Sequence, residues 1–182
     1  MSKEIKYKLF KPLAVDKRLT YNEKLVAMFI YTLHYSNLKC NAKNSYIAYK
    51  LNLSIDIVEN AISRLEKHCL VVDSRNTYNI NYIQVCNTEI CKKRYYMFDS
   101  KILHSKLNPS AKFILVYIQS FNRKDFKFFL QKYDLKENIG LTTKHQIKSA
   151  LKQLLDLKLL REINNEFEGT HYMLYKNIKK IK

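Results

Sequence analysis

Apolar residues recur along the chain at two spacings. Leu25, Val26, Phe29, Ile30 and Leu33 fall on one face at the 3.6-residue period, which predicts a helix. Thr20-x-x-Glu23 stands just before them as a capping box, whose two side chains satisfy orphan amides at the helix start. Val58, Ala61, Ile62 and Leu65 predict another helix over Ile55 to His68, capped by Ser54. Between these lie a short helix, Tyr46 to Leu51 opened by Ser45, and the turn Asn52-Leu53-Ser54. Tyr7 to Leu13 reads as extended and Leu38 to Cys40 as a short strand. Leu70 to Val72, the turn Asp73 to Asn76 and Tyr78 to Ile83 read as a hairpin.

The second half reads in the same order. Asn108 caps a helix with Pro109 at its first position, and Phe113, Ile114, Val116, Tyr117 and Phe121 form its stripe. Phe126 to Leu130 suits a strand. Asp134-x-x-Glu137 predicts a capping box opening a short helix that ends near Gly140. Thr142 or Thr143 caps a helix running to about Asp156. Leu159 to Ile163, the polar tip Asn164 to Gly169 and His171 to Tyr175 complete a hairpin.

This likeness is an internal repeat. At a shift of 88 residues Tyr7 meets Tyr95, Phe10 meets Phe98, Leu19 meets Leu107, Lys24 meets Lys112 and Ile30 meets Ile118. At a shift of 89, Ala61 meets Ala150, Leu65 meets Leu154 and Leu70 meets Leu159. The matches are mostly apolar, so core pattern is what repeats. Two domains are expected, 1–88 and 89–182, mainly α with small β-hairpins (α+β).

Charge adds a partner class. The net charge of +17 divides into +8 over residues 1–94 and +9 over 95–182, so it is not held in a tail. A folded chain with distributed positive charge favours an extended polyanion. A lysine-rich proteome gives the same excess, so charge is only one component of such a footprint.

Several function classes are excluded. With two glycines, no phosphate-cradling loop can be written. No H-E-x-x-H or G-x-S-x-G motif is present, and no nucleophile–base–orienter set can be assembled by position, so no enzyme is expected. Of Cys40, Cys69, Cys86 and Cys91, none forms a C-x2-C pair. Cys69 reads as a buried thiol and Cys86/Cys91 as a weak metal or disulfide pair; no metal or cofactor is expected. Without a signal-peptide core or an apolar run near about 18 residues, a soluble, cytoplasmic, nucleoid-associated protein is expected, with no membrane partner.

The segments NSYIAYKLNLSIDIVENAISRLEKHCLVV and KENIGLTTKHQIKSALKQLLDLKLLREI carry a resemblance. A short helix, a tight turn, a longer helix and Leu-x-x-x-x-Leu entering a hairpin resemble winged helix-turn-helix domains. The resemblance spans about residues 7–83 and 95–176 and implies two such domains in tandem. YKLFKPLAVDKRLTYNEKL and YYMFDSKILHSKLNPSAKF resemble the openings of helix-turn-helix domains in bacterial plasmid and phage replication proteins. That likeness implies double-stranded DNA as partner and replication initiation as role. Transcriptional regulation on the same fold is the alternative, as is a protein–protein adaptor that does not bind DNA.

In helix-turn-helix docking, the start of the motif's second helix enters the major groove. In the second domain that implies Thr143, Lys144, His145, Gln146, Lys148, Ser149 and Lys152, whose donors and acceptors suit base edges and phosphates. The first domain places Asp56 and Glu59 there, which repel phosphate; Asn60, Ser63, Arg64 and Lys67 come later. Lys43, Asn44 and Ser45 suit phosphate at a helix N-terminus, and Arg75 suits a wing tip. The second domain is thus the expected base reader. The first sits on the backbone, or serves a homodimer or protein partner. The 14 tyrosines raise single-strand stacking, but positions such as Tyr117, Tyr82 and Tyr172 favour core packing.

Overall fold

The structure is a computed structural model that describes residues 6–37, 42–73, 78–80, 95–120, 127–129, 132–165 and 169–174. The chain divides into two compact units, Met1–Lys106 and Leu107–Lys182. A boundary after residue 88 would separate a pair of hydrogen-bonded strands. β1 (Lys6–Phe10) lies antiparallel to β4 (Tyr95–Asp99), with Tyr7 opposite Phe98 and Leu9 opposite Tyr96. Alternation puts those four side chains on one buried face. This long-range pairing brings β4 and the helix after it into unit 1.

In unit 1, α1 (Lys11–Val15) follows β1 directly. The extended reading of Tyr7 to Leu13 is therefore corrected: Pro12 sits in the first turn, where its missing N–H costs nothing. α2 (Tyr21–Asn37) is the central helix, with every residue from Glu23 to Tyr31 buried. Its capping box forms as the sequence predicts, Thr20 N donating to Glu23 Oε2 at 2.8 Å and Glu23 N to Thr20 Oγ1 at 3.4 Å. α3 (Asn44–Leu51) buries Ile47, Ala48 and Leu51, and α4 (Ile55–Lys67) buries Val58, Ala61, Ile62 and Leu65. Each fully buried Leu, Ile or Phe contributes about 1.5–3 kcal/mol. The hairpin of β2 (Val71–Asp73) and β3 (Tyr78–Ile80) pairs Val71 with Ile80. α5 (Ser100–His104) follows β4 and is capped by Asp99, which accepts from Lys101 N at 2.8 Å.

In unit 2, α6 (Pro109–Gln119) is buried from Ala111 to Ile118, as a central helix must be. Asn108 Oδ1 accepts from Ala111 N at 2.8 Å. β5 (Lys127–Phe129) and α7 (Lys132–Ile139) follow. α7 begins ahead of Asp134, so that residue lies inside the first turn and the expected capping box does not open the helix. Gly140, at φ 71°, ends it in the left-handed region that glycine reaches without a Cβ clash. α8 (Lys144–Asp156) buries Ala150 and Leu154. β6 (Leu160–Asn165) and β7 (Gly169–Leu174) form a hairpin whose outer partner is β5, in the order β5-β7-β6.

Arg75, the expected strand Leu38 to Cys40, and Cys40, Cys86 and Cys91 lie outside the described residues, as does the 166–168 tip. Cys69 is exposed rather than buried. It sits at φ 56° just past α4, where the chain turns out of the helix. Among the described residues, no helix is long and apolar enough to cross a membrane.

Candidate nucleic-acid interface

α4 and α8 are built alike. Each has 13 residues and a hydroxyl cap: Ser54 accepts from Ile57 N and Thr143 from Gln146 N, both at 3.3 Å. Each ends on a left-handed residue, Cys69 at φ 56° or Lys158 at φ 54°. There Leu70 N bonds Leu65 O and Leu159 N bonds Leu154 O, both at 2.9 Å. The preceding turns hold the left-handed Asn52 in unit 1 and Gly140 in unit 2.

The exposed faces of the two helices differ. On α8, Lys144, His145, Gln146, Lys148, Ser149 and Lys152 line the side away from the core, beside the capping Thr143. No acidic residue occurs before Asp156, the last of the helix. Among the described residues no ion pair engages Lys144, Lys148 or Lys152. Three ammonium groups and the Gln146 amide thus project from one helix, able to donate to base edges or phosphate oxygens.

On α4, the first turn exposes Ile55, Asp56 and Ile57, with Glu59 beyond. Asn60, Ser63, Arg64 and Lys67 are exposed further along. Arg64 carries a role that spacing did not reveal: its Nε lies 3.1 Å from Oε1 of buried Glu23, fastening α4 to the start of α2. That pairing draws its charge away from an outside anion. Lys43 is the N-cap residue of α3 and makes no side-chain cap bond, so the helix starts two residues earlier than Ser45 implied. Lys43 and Ser45 are exposed and Asn44 is half-buried.

Two lysines at matching repeat positions are buried. Lys24 Nζ donates to Ala14 O at 2.6 Å, satisfying a carbonyl at the end of α1. Burial lowers its pKa to about 8, partly opposed by Asp16 and Glu23, and burial lowers Lys112 to about 8 as well. Neither is available to a ligand. Among the described residues, no group of three His, Cys, Asp or Glu side chains is placed to hold a metal.

α2, α3, α4 and the turn between the last two lie within one known pattern. Residues 17–71 match a family described as helix-turn-helix domain. No curated protein matches the chain. Within the matched residues, α4 is the second of the two helices that flank the turn at Asn52. α8 lies outside the matched residues, although it shares α4's length, cap and terminal turn.

Proposed function

We propose that the chain is a non-enzymatic, sequence-specific double-stranded DNA-binding protein made of two tandem winged helix-turn-helix domains, with α8 as the main base reader. The observation that carries this reading is the N-terminal half of α8, with its lysines, histidine, amide and hydroxyls on the outer face and no acid among them. The order α6, β5, α7, α8, β6, β7, with β5 against β7, supports a winged domain in unit 2. The match over residues 17–71 supports a helix-turn-helix domain in unit 1. The charge of +17 suits the phosphate backbone. Initiation of plasmid or phage replication is the role we favour, in the cytoplasm and on the nucleoid; transcriptional regulation would use the same contacts.

Titration of the full chain against duplex DNA tests this. About 6–10 phosphate contacts predict a loss of affinity of about 10³–10⁵ between 50 and 200 mM salt. Replacing Lys144, Gln146 and Lys148 together with Ala removes most of the specificity. Absence of duplex binding at low salt overturns the proposal. Selection from random duplexes then separates a long asymmetric site, read by both units of a monomer, from a palindrome read by a dimer.

A second reading, docking of a protein partner, is favoured by α4. Ile55 and Ile57 are 46% and 37% exposed beside Asp56 and Glu59, a surface suited to a basic protein segment better than to phosphate. A stoichiometric protein partner together with indifference to DNA would establish it.

A further inference from the structure

α3 carries a surface that duplex reading by α8 does not use. Tyr49 and Tyr46, three residues apart on one helix, are 63% and 46% exposed. Single exposed aromatics are common and mean little. These two share a cation: Lys50 Nζ lies 5.6 Å from the Tyr49 centroid and 5.4 Å from that of Tyr46. Each ring also has a steeply inclined aromatic neighbour that fixes its position. Tyr46 meets the core ring of Phe29 at 6.2 Å and 61°, and Tyr49 meets His104 of α5 at 4.7 Å and 75°. The two helices are fastened at the next turn, where Asn52 Nδ2 donates to Ser105 O at 3.2 Å. The rings are therefore held before any ligand arrives, which reduces the ordering cost of stacking on them.

The charged residues on the two helices have one sign. α3 contributes Lys50 and is preceded by exposed Lys43; α5 contributes exposed Lys101. Neither helix contains an acidic residue. Fixed aromatic rings among cations match a ligand with both flat apolar faces and a regular negative charge. Duplex DNA offers the charge but keeps its bases stacked. A single strand offers both.

We infer that the Tyr46–Tyr49–Lys50 face of α3, with His104 of α5, binds single-stranded DNA by stacking unpaired bases on the tyrosines and holding a phosphate on Lys50. This goes beyond duplex recognition and stands on a different helix, so either property can fail alone.

The test is fluorescence anisotropy of a labelled 12-nucleotide oligo-dT with the full chain across a salt series. Tyr49→Ala weakens binding about 5- to 150-fold, the range for one lost base stack. Tyr49→Phe retains it, because the ring rather than the hydroxyl is used. Lys50→Ala lowers the salt slope by about 0.7, the value for one single-strand phosphate contact, while Tyr49→Ala leaves the slope unchanged. Far-ultraviolet circular dichroism checks that each variant is folded. Failure of the unaltered chain to bind oligo-dT at low salt overturns the inference. So does wild-type affinity in both Tyr46→Ala and Tyr49→Ala, or oligo-U bound tenfold tighter than oligo-dT. A Tyr49-dependent self-association without any change in oligo-dT binding also overturns it and makes the patch a protein contact.

Discussion

The amide of Thr20 in unit 1 and that of Asn108 in unit 2 stand at matching positions, each at the mouth of a buried central helix. In unit 1 the acceptor is Glu23 Oε2 at 2.8 Å, and the other oxygen of that carboxylate is held by Arg64 Nε at 3.1 Å. In unit 2 the acceptor is Oε1 of Gln153 at 2.8 Å, with no carboxylate between. Arg64 and Gln153 themselves match, at a shift of 89. Both helices are thus fastened at the same place, one by an ion pair and one by a neutral amide. Ala111 stands where unit 1 has Glu23, so unit 2 needs no counter-cation from its helix. α4 pairs its exposed arginine with a carboxylate of its own unit and starts with acids; α8 exposes three lysines that no ion pair engages among the described residues. A shared scaffold has been given two surfaces.

The sharpest break in this comparison comes from exchanging those surfaces. Lys144→Glu with Lys148→Glu gives α8 the character of α4's first turns. Duplex affinity should fall about 100-fold or more, since two contacts are lost and two repulsions gained. The converse change of charge in unit 1, Asp56→Lys with Glu59→Lys, should raise affinity by removing repulsion. Equal, small effects in both units would show that the two helices are equivalent at DNA. Electrophoretic mobility shifts at fixed salt measure both.

The fastening itself is the next largest effect. Glu23→Ala removes the acceptor of Thr20 N and leaves Arg64 without its partner, at a cost of about 2–3 kcal/mol. Gln153→Ala leaves the Asn108 amide unpaired, at about 1–2 kcal/mol. Urea unfolding measures the order. Arg64→Ala should weaken duplex binding no more than its loss of folded protein explains. A larger loss would return Arg64 to the DNA.

Much of this was legible in the sequence because it is local. The bounds of α4 and α8, the caps at Ser54, Thr143 and Asn108, and the Thr20–Glu23 box follow from periodicity and side-chain reach within four residues. Other features depend on distant partners. Nothing near Tyr95 announces that its strand pairs with Lys6–Phe10, and that pairing moves the unit boundary. Lys24 and Lys112 align in the repeat, yet a lysine on an apolar stripe looks the same buried or exposed until its burial is seen. α1 is too short for any period to show. The tyrosines divide: Tyr117 packs in the core as its stripe implies, Tyr172 is half-buried and Tyr82 lies outside the described residues, while Tyr46 and Tyr49 face outward on a helix whose other side is buried.

The buried lysines put both units on one pH scale. Each is held down to about 8 by burial, whereas an unfolded lysine titrates near 10.5. Between about pH 8 and 10 the unfolded chain therefore binds more protons, and stability rises with pH by about 1–2 kcal/mol for each lysine. Above about pH 10 the sign reverses. Burial pushes Tyr117 up to about 12 and raises Tyr21 too, so the unfolded tyrosines release protons that the folded ones keep. Urea unfolding at pH 8 and pH 10 should show the rise. Lys24→Met should remove the share belonging to unit 1 and Lys112→Met the share belonging to unit 2. An unchanged rise in both variants would assign it to relief of the +17 charge instead.

The smallest effect separates structure from reading most cleanly. Ser54 and Thr143 occupy matching caps, and each accepts from the amide three residues onward at 3.3 Å. Ser54→Ala and Thr143→Ala should each cost about 1 kcal/mol of stability, because the lost cap bond is the same. Their consequences for duplex DNA should differ. Thr143 precedes three lysines and Gln146, and on the proposed reading its removal deletes a contact and loosens the first turn that carries the others. Ser54 precedes Asp56 and Glu59. A fall of about fivefold or more in duplex affinity is expected for Thr143→Ala, and none beyond error for Ser54→Ala. Because the two variants lose equal stability, unfolding cannot explain a difference between them. If both lose affinity alike, α4 touches DNA through its first turn despite its acids, and the asymmetry between the units lies in sequence preference rather than contact.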